Sequence, residues 1–105
     1  MSRVAELDEV TYLFAKDTDA FNGFTKTSSL VAIRAETDRM RQVWMSKEMA
    51  AASTNARRAR IAKKHAEYWK RVKINRDRRG DVPSEHNIIH GLLMIYRNKR
   101  KAGLA

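Results

Sequence analysis

His86 and His90 are the pair of side chains whose type and spacing could hold a metal ion. Residues four apart share one face of a helix, and two imidazoles at this spacing occur in zinc sites. A third ligand is missing nearby, because Glu85 points about 100° away from the two histidines. Arg97 and Lys101 fall on the same face, and their charges oppose a divalent cation. The pattern therefore favours a polar face, or a basic ridge that adds phosphate contacts, over a metal site.

Motifs of catalysis are absent from the sequence. The chain has 105 residues and no cysteine, so it offers neither a thiolate nucleophile nor a thiolate metal ligand. HExxH, a glycine-rich phosphate loop and GxSxG do not occur, and the carboxylates of the first half form no recognisable pairing. The sequence predicts a protein that is not an enzyme and that uses no cofactor.

A basic run dominates the middle of the chain. Residues 57–79 contain eleven lysines and arginines against two acids, Glu67 and Asp77. An exposed helix with a purely structural role usually mixes both signs, because like charges four residues apart repel each other. The imbalance favours a phosphate-bearing partner over a merely solvated helix face.

A helical wheel separates this run into two faces. One arc holds most of the cations, and the opposite stripe is apolar and aromatic. Such a row of cations can follow a phosphate backbone, and an arginine can hold one phosphate with two parallel hydrogen bonds. The residues predicted to bind nucleic acid, on this run and on the helix of His90, are Arg57, Arg60, Lys63, Lys64, Lys70, Arg71, Arg78, Arg97 and Lys101.

The apolar stripe predicts packing against other protein surfaces. Tyr68 and Trp69 have a second interpretation, since aromatic rings also stack on unpaired bases. Their helical spacing with Ile61 and Val72 favours the packing role. The residues predicted to pack, on this stripe and on the last helix, are Ile61, Tyr68, Trp69, Val72, Ile88, Leu92 and Tyr96.

Positive charge is confined to the second half of the chain. The formal net charge is +10. Residues 1–56 hold seven basic and eight acidic side chains, whereas residues 57–105 hold fifteen basic and four acidic ones. This asymmetry predicts a polyanionic partner, with nucleic acid favoured over an anionic membrane surface.

The N-terminal part, residues 1–27, reads as a helix and a turn. Apolar residues three or four apart predict an amphipathic helix over about residues 3–16, with Ser2 as its N-cap. Asn22 and Gly23 predict the turn that follows.

Residues 28–79 contain no proline and no glycine. We therefore predict one long helix over about residues 29–78, bent near 53–55. At 1.5 Å per residue it would measure about 75 Å, so the fold would be extended. Thr54 or Asn55 could instead cap a separate second helix.

The C-terminal part, residues 84–102, predicts an amphipathic helix. Gly80 and Pro83 end the preceding helix, and Ser84 is a good N-cap for the next one. The predicted fold is thus a single all-α chain whose long central helix lies between a short N-terminal helix and a C-terminal amphipathic helix.

Two features bear on the compartment. The longest apolar run, residues 88–96, would span about 14 Å as a helix, against about 30 Å for the hydrocarbon core of a bilayer. The N-terminus is rich in acids, which is typical neither of a secretory signal nor of a mitochondrial presequence. We expect no transmembrane segment, no cleavable targeting peptide, and a place in the mitochondrial matrix or the cytoplasm.

The sequence as a whole favours a structural RNA-binding subunit of a large ribonucleoprotein, with a ribosome, mitochondrial or otherwise, as the expected host. Its large apolar residues exceed what the predicted extended helices can bury on each other, so neighbouring protein subunits are expected partners. These residues are Phe21, Phe24, Met40, Trp44, Met49 and Trp69. One alternative is an accessory subunit of a respiratory or ATP synthase complex on the matrix side, where the basic face meets acidic subunits or anionic lipid. A second alternative is a DNA-binding regulator of a phage or plasmid.

Overall fold

Four α-helices make up the fold. A computed structural model describes residues 3–105, with side chains from Ala5 onward. These residues contain helices and no strand, which confirms the all-α prediction. Ser2, the predicted first N-cap, lies outside the described residues. The helices are α1 (Arg3–Lys16), α2 (Leu30–Ala51), α3 (Asn55–Arg79) and α4 (Glu85–Lys101).

The predicted long helix is matched only in part, because the chain breaks between α2 and α3. The alternative, a separate second helix capped by Thr54, is confirmed. Ala52 has an extended backbone (φ −75°, ψ 128°), and Thr54 caps α3 by accepting a hydrogen bond from the Arg57 amide at 3.1 Å. Ser, Thr and Asn are weak helix formers whose side chains compete for backbone amides, which is why this segment yields a cap. The largest dimension of the molecule is 42 Å, so the predicted extended shape is wrong.

α3 folds back along α2 to form an antiparallel helical hairpin. Near the turn, Lys64 donates a hydrogen bond to Glu48 at 2.8 Å. At the far end, Arg76 forms two hydrogen bonds with Asp38 at 2.8 and 3.0 Å. Polar contacts thus connect the two helices at two well-separated places.

The hydrophobic core is shared by α1, α2, α4 and the turn after α1. Ile89, Leu93 and Ile95 on α4 are fully buried, and Phe21 from the turn is 1% exposed. The expectation that the large apolar residues need outside partners is therefore wrong for Phe21, and also for Met40, which is 2% exposed. The compact arrangement supplies neighbours that an extended chain would lack.

Gly91 lets α2 and α4 approach closely. A Cβ placed at Gly91 would lie 2.5 Å from Cγ2 of Ile33, a separation that real side chains do not reach. Beside it, the Thr37 hydroxyl lies 3.0 Å from the carbonyl oxygen of Ile33 and 3.2 Å from that of Gly91. The absence of a side chain at this position sets the distance between the two helices that form most of the core.

Turns and caps follow local chemistry. Asn22 and Gly23 have positive φ angles of 53° and 86°, which asparagine and glycine adopt most readily, and they lie in the predicted turn. Ser29 caps α2 and Ser84 caps α4, each accepting a hydrogen bond from an amide three residues on.

Candidate nucleic-acid interface

α3 is attached to the rest of the molecule along one face. His65 is its one buried residue. The half-buried residues of α3 share the side that faces α2; they are Ile61, Tyr68, Trp69, Val72 and Arg76. Every other residue of the helix is exposed. A helix of 25 residues therefore presents most of its circumference to solvent.

All nine cations predicted to bind nucleic acid are exposed. Two of them already have a carboxylate partner within the chain: Lys64 pairs with Glu48 at 2.8 Å, and Arg97 pairs with Glu9 at 3.2 Å. The other seven form no ion pair with any residue that the structure describes; they are Arg57, Arg60, Lys63, Lys70, Arg71, Arg78 and Lys101.

We call the side of α3 turned away from α2 the outer face, and define it by Arg60, Lys63, Lys70 and Arg78. These four side chains fall within about 80° of one another on the helical wheel. Glu67, which lies among them, is exposed and has no ion pair in the described part of the chain. The outer face therefore carries positive charge that the rest of the molecule leaves uncompensated.

The predicted packing residues find their neighbours inside the chain. Ile88 and Leu92 lie in the core, and Tyr96 is half-buried against it. The ring of Tyr68 lies under the guanidinium of Arg41, with Cζ of Arg41 3.4 Å from the ring centre. Trp69 meets Tyr68 edge to face at 5.5 Å between ring centres. Because Arg41 covers one face of the Tyr68 ring, that face is not free to stack on a base.

A buried polar chain fastens α3 to the middle of α2. Nε of Arg41 donates to Nδ1 of His65 at 2.9 Å, and Nε2 of His65 lies 2.6 Å from a carboxylate oxygen of Glu48. Since an arginine can only donate, Nδ1 of His65 must carry a lone pair, and the ring proton sits on Nε2 and faces Glu48. His65 thus connects the buried guanidinium of Arg41 to the carboxylate of Glu48, which lies nearer the surface.

Electrostatics support this arrangement. Arg41 is 5% exposed, and burial lowers the pKa of its guanidinium. Trp44 and Tyr68 sandwich that guanidinium, which gains cation–π attraction on both sides. Burial alone would raise the pKa of Glu48, but hydrogen bonds from Lys64 and His65 lower it below its usual value. Glu48, the last member of this row of hydrogen bonds, is therefore stable as an ionised carboxylate.

Two further arginines of the interface region have structural partners. Arg76 is held by both oxygens of Asp38, and Arg34 on α2 donates to Asp81 at 2.9 Å and to the Gly80 carbonyl at 3.1 Å. They fix the C-terminal end of α3. Arg41 and Asp38 lie on α2, so their role could not be read from the basic run itself.

The chain matches no known family. Neither a curated protein nor a solved structure shows significant similarity to it. None of the described helices is both long enough and apolar enough to cross a bilayer.

The face of α4 that carries both histidines meets α1. Nδ1 of His90 lies 3.1 Å from one oxygen of Glu6, and Nδ1 of His86 lies 4.0 Å from the other. Glu6 precedes His86 by 80 residues and His90 by 84, so the local sequence around the histidines does not indicate this carboxylate. No group of three acidic or histidine side chains among the described residues is arranged to hold a metal ion. With Glu9 beside Arg97, this face is balanced by acids rather than forming a purely basic ridge.

Acid is expected to destabilise the fold through His90. Burial, with a contribution from the charge of Arg79, lowers the pKa of this imidazole below 6.5, and Glu6 opposes the shift without cancelling it. The unfolded chain therefore binds a proton at His90 more readily than the folded chain, so stability is lost as the pH falls through about 6.5. We expect the urea midpoint to drop between pH 7.5 and pH 5.5, and the drop to be smaller in His90→Asn. An equal drop in both proteins would contradict this assignment.

Proposed function

We propose that this chain is a non-enzymatic, structural RNA-binding subunit of a large ribonucleoprotein, and that the outer face of α3 holds RNA phosphates. One observation carries the proposal. α3 buries a single residue, yet its outer face lines up cations that have no acidic partner among the described residues. A helix that is mostly exposed gains little from such charges unless a polyanion lies against them.

The dimensions of α3 suit a phosphate backbone. Twenty-five helical residues span about 37 Å, which is long enough to follow several successive phosphates. Binding would release counterions from the RNA, and the affinity would depend strongly on salt. The outer face offers mainly point charges and bidentate guanidiniums, which position a backbone and read no base sequence. The expected role is therefore architectural.

Exposed apolar side chains support neighbouring protein subunits as further partners. Tyr12 and Phe14 on α1 are 62% and 40% exposed, on a part of the molecule far from the basic run in sequence. The short, strongly basic chain favours a ribosome as the host particle, in the mitochondrial matrix or the cytoplasm.

The test is a salt titration of RNA binding by the intact chain and a charge-reversal variant. We expect the logarithm of the affinity for a structured RNA to fall by several units per logarithmic unit of salt. The variant Arg60→Glu, Lys63→Glu, Lys70→Glu should lose most of the affinity and reduce the salt slope by about 3, since each phosphate contact contributes about 1.

The matched control changes the same total charge elsewhere. Lys16, Lys26 and Arg100 are exposed and lie outside α3, so Lys16→Glu, Lys26→Glu, Arg100→Glu should weaken binding far less. Equal losses in both triple variants would show that net charge, not the outer face, drives binding. No RNA affinity at about 50 mM salt would refute the RNA proposal. Tighter binding to duplex DNA than to RNA would make DNA the partner.

A further inference from the structure

A cleft separates α3 from α4, with α2 as its floor. Its volume is about 280 Å³. Side chains from all three helices line it, and none of these lining residues is acidic. Those that matter here are Arg34, Arg71, Asn75, Arg76, Arg79 and Asn87. Four guanidiniums around one small cleft are an unusual concentration of positive charge.

Two of these four arginines are compensated and two are not. Arg34 and Arg76 have carboxylate partners outside the cleft, in Asp81 and Asp38. Arg71 and Arg79 have no ion pair with any described residue, and both are exposed. The cleft therefore contains two arginines that are held by carboxylates, Arg34 and Arg76. The charges of the other two, Arg71 and Arg79, are available to a ligand.

The two open arginines stand on one side of α3 with Asn75 between them. Residues 71, 75 and 79 are spaced four apart, so they form a row with about 6 Å of rise between neighbours. The charge of Arg79 reaches across the cleft, because it helps to lower the pKa of His90 on α4, after burial as the main cause. The row therefore presents fork-shaped donors and an amide to the same space, in a positive field.

We propose that this cleft binds a phosphate group through the guanidiniums of Arg71 and Arg79. Guanidiniums match the tetrahedral oxygens of phosphate with paired hydrogen bonds, and partial enclosure strengthens that attraction. The cleft volume of about 280 Å³ is just below the roughly 300–1,000 Å³ typical of ligand sites, which suits one phosphate with at most a sugar attached. The phosphate belongs either to a small phosphate ester or to an RNA backbone. With RNA as the source, the inference rests on the proposed function.

The first arm of the test uses inorganic phosphate and no RNA. Calorimetric titration and thermal unfolding of the full chain are run with phosphate and with sodium chloride at equal ionic strength. We expect phosphate to raise the melting temperature more than chloride does. The variant Arg71→Gln, Arg79→Gln should lower phosphate affinity by about tenfold or more, because charge-assisted hydrogen bonds are lost. The control Lys26→Gln, Arg100→Gln removes the same charge from exposed positions outside α3 and should bind phosphate as the parent does.

Two results would overturn the proposal: equal effects of phosphate and chloride on the parent, or equal losses of phosphate affinity in the cleft variant and its control. Neither calorimetry nor thermal unfolding with phosphate involves RNA. The cleft proposal can therefore be refuted while the outer face of α3 still binds RNA, and it can be confirmed even if the outer face does not bind RNA. Where phosphate binding is confirmed, the same variants are titrated with structured RNA. A loss of RNA affinity in the cleft variant that exceeds the loss in its control identifies the RNA backbone as the source. RNA affinity that falls no further than in the control identifies a small phosphate ester.

Discussion

Replacing His65 with alanine is expected to free α3 from α2 while α1, α2 and α4 stay folded. The substitution removes the acceptor of the Arg41 Nε–H and the imidazole nitrogen that faces Glu48. A buried guanidinium without its partner costs about 3 kcal/mol. The hydrophobic core is formed by other helices, so this loss falls on the attachment of α3 and leaves the core packing intact. Native-state hydrogen exchange should show faster exchange along residues 55–79 with little change in α4.

Two companion variants sharpen this prediction. Lys64→Ala removes a half-exposed ion pair to Glu48 and a cation–π contact with Trp44 at 5.3 Å, and it should cost about 1 kcal/mol. Arg41→Met combined with His65→Leu replaces the buried polar pair with apolar side chains and should regain much of the lost stability, as often happens when both members of such a pair are removed. If His65→Ala instead accelerates exchange equally in all four helices, α3 is an integral part of one cooperative unit and the prediction is wrong.

Gly91→Ala is expected to destabilise the whole fold, although alanine is the better helix former. The new Cβ would meet Cγ2 of Ile33 at 2.5 Å, and Ile33 is fully buried with no room to move away. Overpacking of this kind costs about 2 to 3 kcal/mol. That cost exceeds the roughly 1 kcal/mol that alanine gains over glycine inside a helix. Urea unfolding should therefore show a lower midpoint with an unchanged slope.

A second substitution tests whether the clash is the cause. Leucine has no branch at Cβ, so Ile33→Leu removes the methyl group that Gly91→Ala would strike. We expect the double variant to be more stable than Gly91→Ala alone, which is coupling that independent sites do not show. Additive losses in the double variant would mean that the close approach of α2 and α4 is not what requires glycine.

Local signals in the sequence predicted much of the fold. The bounds of α1 and α4 follow the spacing of apolar residues, and Ser84 caps α4 as expected. The break after α2 was harder, because alanine and arginine around residues 50–60 propagate a helix readily. Tertiary contacts decide where the helix breaks. A continuous helix would lose every contact between α2 and α3, including the buried hydrogen bond between Arg41 and His65.

The candidate site was predictable only where it depends on α3 alone. A wheel identifies which cations of α3 lie opposite its apolar stripe, since that depends on the helix alone. It does not identify which of them meet acids on other helices. Glu9 reaches Arg97 from 88 residues away, and Asp38 reaches Arg76 from 38 residues away, so these pairings become visible only once the helices are packed. The cleft beside Arg71 and Arg79 also forms only when α2, α3 and α4 pack together, so the sequence alone does not predict it.

The two sides of α3 differ in what they contact, and this difference affects which substitutions the protein can accept over generations. Residues that anchor the helix, such as His65 and Tyr68, face α2. Arg60, Lys63 and Lys70 are exposed and form no ion pair with any residue that the structure describes. Surface substitutions away from structural contacts usually change stability by less than about 0.5 kcal/mol. Under the proposed function, exchanges among lysine, arginine and neutral residues on the outer face can therefore adjust the affinity for RNA to the ionic strength of a habitat without loss of folding stability.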